Sequence, residues 1–466
     1  MKKFVILLTT ICVLFNSFST VYADNEAKLS WPENTPNITS EAAIVMEAST
    51  GSILYEKNIH KTYYPASITK ILTTLIALEN SSLGEIVTHS KNAIYDVELD
   101  SSRIGIDVGE ELTMEQSLYG IMLESANEVS YAVAEHVSGD VESFVKLMNE
   151  KAKSLGAVDS NFVNPHGLPD PNHYTSAYDM ALISRAALEN EAFRKITKTR
   201  TYTIPPTNIQ EETRYLANHH RFIKNSNSYE GAIGGKTGYT SKAKYTLATF
   251  AERNGMTLIC VVMRSESIQS EYEDTTNLLN YGFDNFSIHK ISDVEGGKED
   301  LSLEDSSLFT KYSPLFSDSE TRLQVDPSSN IILPNHASFS DTEKEIVLTP
   351  LTELTDGINI LGNIKYSYNG TYIGSANVTY DFSKNTDLLE GSYVPVPTIT
   401  EQAANSEHQK SNESTYNVKA IIIGIIVCIL VLIVGLYIVF IELPYIRRRK
   451  SYMQKRNKKK GTSIDF

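Results

Sequence analysis

Two apolar runs in 42–57, AAIVMEASTGSILYEK, flank Ser49-Thr50-Gly51. That pattern predicts two strands joined by a tight turn. From Ser67 the period changes. Ile68, Ile71, Leu72, Leu75, Ile76 and Leu78 fall on one face of a helix running through Glu79. Thr113-Met-Glu-Gln116 has the form of a capping box opening another helix. Helical patterning continues to about Leu155 and returns from Ala177 to Leu188. Residues 245–263, YTLATFAERNGMTLICVVM, predict two strands around an Asn254-Gly255 turn, and a helix follows to about Tyr281. Strands at both ends therefore bracket a mostly helical middle, which predicts one sheet covered by helices.

Past Phe286 the texture becomes all-β. Residues 362–382 alternate apolar and polar positions around Asn369-Gly370, the pattern of a hairpin. Residues 384–418 are rich in Asn, Ser, Glu, Gln and Pro, lack periodicity, and read as a flexible stalk. The run 420–441 holds no charged residue and would span about 33 Å as a helix, enough to cross a bilayer. Arg447, Arg448, Arg449, Lys450 and further lysines follow it, placing the C-terminus in the cytoplasm and the bulk of the chain outside. Lys2, Lys3, an apolar stretch from Phe4 to about Phe15 and Val21-Tyr22-Ala23 read as a secretory signal over 1–23. The alternative, an N-terminal membrane helix, suits poorly a run that is short and interrupted by Asn16 and Ser17.

Charge sharpens this partition. The chain of 466 residues carries a net −15, yet its two ends are net positive, so the outward part is more acidic still. Such a body is a poor nucleic-acid binder. Of three cysteines, Cys12 lies in the signal and Cys428 in the span. Cys260 alone remains outside, which excludes a disulfide framework and a cysteine metal site and reads as a core residue. His166, Asp170 and His173 lack a familiar zinc spacing and read as structural.

The chemistry-bearing motifs come in a fixed order. Ser67-Ile-Thr-Lys70 is Ser-x-x-Lys, a pattern that also occurs at Ser143, Ser241 and Ser287. Ser125-Ala126-Asn127 is Ser-x-Asn, also matched at Ser90, Ser328 and Ser375, and Lys236-Thr237-Gly238 occurs once. Each motif alone is cheap; their joint order in an exported chain is specific. Ser67 and Lys70, at i and i+3, share a helix face. Lys70 serves as a base only if part of it is neutral near pH 7, and burial beside a second cation, Lys236, pushes it that way. A helix cap and a solvated lysine are the plain alternative for any single Ser-x-x-Lys.

With these motifs, and with YYPASITKILTTLIALE, NPHGLPDPNHYTSAYDMALISRA and GGKTGYTSKAKYTLATFAERNGMTLICVVM, the chain resembles the serine-type D-alanyl-D-alanine carboxypeptidases, the low-molecular-mass penicillin-binding proteins of the peptidase S11 kind. The resemblance covers about 40–285 well and the segment to about 383 loosely. It implies an α+β, β-lactamase/transpeptidase-like catalytic domain over 40–285, an antiparallel sheet covered by helices with a helical insert. A small all-β domain over 290–383, the stalk, one transmembrane helix and a basic tail over 442–466 follow. It also implies a Ser67 acyl-enzyme with Lys70 as general base, Ser125 relaying a proton to the leaving amine, and Asn127 orienting Lys70 and the substrate amide. Lys236 and Thr237 then meet the substrate's terminal carboxylate, Gly238 leaves a bare strand edge for the peptide, and the N–H groups of Ser67 and Tyr239 form an oxyanion hole. SANEV departs from the family, which commonly has Gly before the Asn and Asp after it.

The implied reaction removes the terminal D-alanine from peptidoglycan stem peptides, with no cofactor and no metal, and β-lactams acylate Ser67. Alternatives are D,D-endopeptidase or transpeptidase activity, a β-lactamase (which the missing E-x-x-L-N segment disfavours), and a catalytically silent wall-binding or sensor protein. The expected location is the cell membrane, single-pass, with the catalytic domain outside.

Overall fold

The computed structural model describes residues 31–224, 229–294, 323–326, 328–348 and 357–381. The expected signal at 1–23, stalk, membrane span at 420–441 and basic tail lie outside the described residues. Among the described residues no helix is long and apolar enough to cross a membrane.

Strands from both ends of the catalytic region do share one sheet. β1 (Ala42–Glu47) pairs antiparallel with β2 (Ile53–Lys57) and, on its other side, with β9 (Met256–Ser265). β8 (Lys244–Arg253) and β7 (Ala232–Thr240) complete the order β2-β1-β9-β8-β7, all antiparallel. Asn254 and Gly255 have φ of 51° and 78°, the positive values that a two-residue hairpin turn between right-twisted strands demands.

All six β1 residues are buried because the sheet is covered on both faces. Ala42, Ile44, Met46, Ile259 and Val261 point into a core built with α1 (Lys70–Asn80). Also on the helical side lie α2 (Lys91–Tyr95), α3 (Met114–Leu123), α4 (Asn127–Ser138), α5 (Val141–Ser154), α6 (Ala177–Glu189) and α7 (Glu191–Lys198). Alternate residues Ala43, Val45, Leu258, Cys260 and Val262 face a second core. The short α8 (Arg221–Lys224) packs against β7, and the long α9 (Ile268–Asn285) supplies Tyr272, Leu278, Leu279 and Tyr281 to the second core. This is the period-2 division that a two-sided sheet imposes. Two small two-stranded sheets, β3 (Ile86–Thr88) with β4 (Glu111–Thr113) and β5 (Thr201–Ile204) with β6 (Arg214–Ala217), interrupt the middle that periodicity read as helical.

A second antiparallel sheet follows. Its order is β10 (Phe286–Lys290), β12 (Asn330–Pro334), β15 (Thr371–Asp381), β14 (Ile358–Tyr368) and β13 (Glu343–Leu348), with β11 (Leu323–Val325) also on β15. It begins at Phe286, directly after α9, ahead of the boundary expected at 290. A last short helix, α10 (Ile291–Val294), follows β10. Asn369 and Gly370, at 51° and 77°, close the β14–β15 hairpin as the sequence predicts.

Candidate active site

The serine of Ser-x-x-Lys sits on a short 3-10 helix, Ala66–Thr69, that feeds α1. Ala66, just before the serine, adopts a left-handed φ of 52°, a cost that surrounding contacts must cover. Those contacts are explicit. Thr246 Oγ1 donates to the Pro65 carbonyl at 2.8 Å, and Thr69 Oγ1 donates to the Ala66 carbonyl at 2.9 Å. Gly167 lies so close that a Cβ there would fall 1.9 Å from the Ala66 oxygen, so this position excludes any side chain. His173 Nδ1 accepts from the Val163 N–H at 3.1 Å, which leaves Nε2 to donate to Thr69 Oγ1 at 3.0 Å. Burial holds His173 down at about 4, so the ring is neutral and structural at physiological pH.

Lys70 is fully buried, with three oxygens around its Nζ: Asn127 Oδ1 at 2.6 Å, the His166 carbonyl at 2.5 Å and Ser67 Oγ at 3.0 Å. The first two are acceptors only. A neutral amine has two hydrogens and one lone pair, so satisfying both acceptors turns the lone pair toward the Ser67 hydroxyl. Burial first, then the nearby charge of Lys236, push the Lys70 amine well below its ordinary range, while Glu128 pulls the other way.

Ser125 and Asn127 come from the junction between α3 and α4. Ser125 has a left-handed φ of 63°, and its buried Oγ has no hydrogen-bond partner. The Asn127 N–H donates to the Ser102 carbonyl at 2.9 Å, and Glu128 Oε1 accepts from the Ile104 N–H at 2.7 Å. The acidic residue after Ser-x-Asn thus ties the 102–104 loop to the start of α4. Burial raises the Glu128 carboxyl.

Among the described residues β7 is an edge of the five-stranded sheet, and it carries Lys-Thr-Gly. A Cβ on Gly238 would meet Thr246 Oγ1 at 2.4 Å and the Ser67 backbone nitrogen at 2.8 Å, so glycine is what lets β7 lie against the nucleophile's turn. Lys236 is 1 % exposed, and its Nζ donates to the Thr237 carbonyl at 3.0 Å. Burial brings its amine down to about 7, with Glu124 only partly offsetting this. It is therefore part-neutral near pH 7.

A cleft of about 310 Å³ joins these parts: Ser67, Ser125, Thr237 and Gly238 line it, together with Arg221 and Glu271. Arg221, on α8, and Glu271, in the first turn of α9, carry no motif, and their sequence spacing gives no sign that they meet Ser67. Cys260 is buried, its thiol raised by desolvation, away from this chemistry.

The peptidase S11 model, D-alanyl-D-alanine carboxypeptidase, matches residues 30–267. The chain belongs to that family. It is 37% identical over 254 residues to the D-alanyl-D-alanine carboxypeptidase DacF of Bacillus subtilis, covering 54% of this chain and 64% of that protein. The chain thus spans just under two thirds of that relative. Among solved structures it resembles penicillin-binding protein 5 from Haemophilus influenzae, with a TM-score of 0.58 and 26% identity over 75% of this chain and 98% of that one. A mutant form of the Streptomyces K15 DD-transpeptidase gives a TM-score of 0.51 and 33% identity over 54% of this chain and 100% of that one.

Proposed function

We propose that this chain is a serine D-alanyl-D-alanine carboxypeptidase that removes the terminal D-alanine from peptidoglycan stem peptides. The observation that carries the reading is the Lys70 amine, held by two pure acceptors with its third neighbour the Ser67 hydroxyl. The Ser67 proton passes to Lys70 as Oγ bonds to the carbonyl carbon between the two D-alanines. The oxygen that gains the charge is met by the N–H groups of Ser67 and Tyr239. Collapse breaks the C–N bond. Lys70 returns the proton through the Ser125 hydroxyl to the leaving amine, and D-alanine departs. Water then attacks the ester with Lys70 again as base, freeing Ser67 and the shortened peptide.

The peptide lies along the β7 edge, where main-chain groups can pair with an added strand. Its terminal carboxylate meets the Thr237 hydroxyl and the Arg221 guanidinium, from two residues that line the cleft. Lys236 acts behind them, on the potential of the site and on Lys70. β-Lactams, which present a strained amide and a carboxylate, acylate Ser67 by the same steps. The protein is held at the cell membrane by the 420–441 segment, with the catalytic region outside.

Mass spectrometry of a pentapeptide digest with the full-length protein tests this. Release of one D-alanine, absent with Ser67→Ala, is the expected result. No release, together with no fluorescent-penicillin label on the wild type, overturns it in favour of a silent wall-binding protein.

A further inference from the structure

Glu271 is 3 % exposed, and its Oε2 is buried without a hydrogen-bond partner, yet the residue lines the cleft that holds Ser67 and Thr237. An unpartnered buried carboxyl oxygen costs stability unless something meets it. The mechanism above leaves it unused. Its helix gives no reason for it either, because Ser267 and Ser270 already form the capping box of α9.

We propose that Glu271 is a specificity-determining residue that works as a neutral acid, donating its proton to the terminal carboxylate of the peptide beside Arg221. The inference rests on the carboxypeptidase reading and adds to it a second donor at the carboxylate end. The neighbouring groups fit this role. Arg221, from α8, is the charge that acts on the carboxyl, and its backbone N–H donates to the Tyr272 hydroxyl at 2.8 Å. Tyr272, on the same helix as Glu271, feels that carboxyl in turn, and its own hydroxyl is raised by burial. His219, Tyr239 and Tyr245 line the same cleft, and Lys236 lies buried in β7 behind Thr237. Desolvation outweighs the pull of Arg221 and brings Glu271 up to about 9. The acid is therefore protonated at neutral pH. An O–H donor beside a guanidinium is complementary to a carboxylate, whereas an ionised Glu271 would repel the substrate's own carboxylate.

The test is the pH dependence of KM for D-alanine release by the full-length wild type, Glu271→Gln and Glu271→Ala. Apart from any change near pH 7, where Lys236 loses its charge in every variant, the wild type is expected to show a separate rise in KM as pH passes 9, where the donor is lost. Glutamine keeps an N–H donor and cannot ionise. That variant is expected to keep the neutral KM within about threefold and to lose the alkaline rise, while alanine raises the neutral KM about tenfold with kcat little changed. A peptide ending in an amide, used as a competitive inhibitor, should bind the wild type and Glu271→Ala alike. An alkaline rise that persists in Glu271→Gln, an unchanged KM in Glu271→Ala, or an equal loss for the amide overturns the proposal. Penicillin labelling of Ser67 in the same preparations separates this outcome from failure of the carboxypeptidase reading, which would leave the wild type unlabelled.

Discussion

At Lys70, the count of hydrogens against acceptors defines the chemistry. Replacing it by alanine removes the base but leaves the nucleophile. Acylation of Ser67 by a penicillin is expected to slow by about 10²–10⁴-fold, measured as label incorporated against time. Lys236 works partly through Lys70. Its charge is the second cause of the low Lys70 value, so Lys236→Gln is expected to raise the Lys70 amine. The acid limb of the acylation profile should then move to higher pH than in the wild type; an unmoved limb would show that the two amines are not coupled. Both lysines and both serines were legible in the sequence because their motifs are local and ordered. Arg221 and Glu271 were not, because α8 and α9 reach the cleft only through packing on the sheet, α8 on β7 and α9 chiefly on β9 and β8.

At the scale of elements, turn and cap chemistry carried the reading furthest. Thr113 Oγ1 accepts from the Gln116 N–H, while the Gln116 side chain accepts from the Thr113 N–H at 2.8 Å, the reciprocal box that the spacing predicts. Thr113→Ala is expected to cost about 1 kcal/mol, read as a lower thermal midpoint with Ser67 labelling retained. The Asn-Gly hairpins were equally plain, since few residues accept positive φ at both turn positions. What the sequence hid was contact between elements. Nothing in NPHGLPD announces that Gly167 presses on the Ala66 carbonyl. Gly167→Ala is expected to cost at least about 2 kcal/mol, because the added carbon meets backbone and φ there is 89°. Thermal melts of the full-length protein check this, and the variant should also lose its penicillin label because the turn before Ser67 shifts.

Over the whole molecule, several buried bases stay neutral, and their cost appears on acidification. His173 is held at about 4 and His220 at about 3, both by burial. Each has a folded value below the usual 6.5, so the unfolded chain takes up the protons first. The histidine contribution to stability is therefore level above about pH 6.5 and falls as pH drops toward 4, a trend that thermal midpoints across that window will show. Lys70 adds to this with the same sign: its depressed value makes stability rise with pH up to the ordinary lysine range. Four strands of the single sheet could be read in advance because they are apolar runs with plain turn signals between them, whereas the glycine-rich β7 shows no such run. The short β3–β4 and β5–β6 pairs could not be read either, having too few residues to show a period.

The pH dependence of penicillin acylation at Ser67 in the full-length wild-type protein is the most direct test of Lys70 as the base. The rate is predicted to reach its plateau well below the ordinary lysine range and to decline on acidification, as the Lys70 lone pair is lost. A rate that keeps climbing tenfold per pH unit toward about pH 10, as an ordinary solvated lysine would impose, contradicts that assignment.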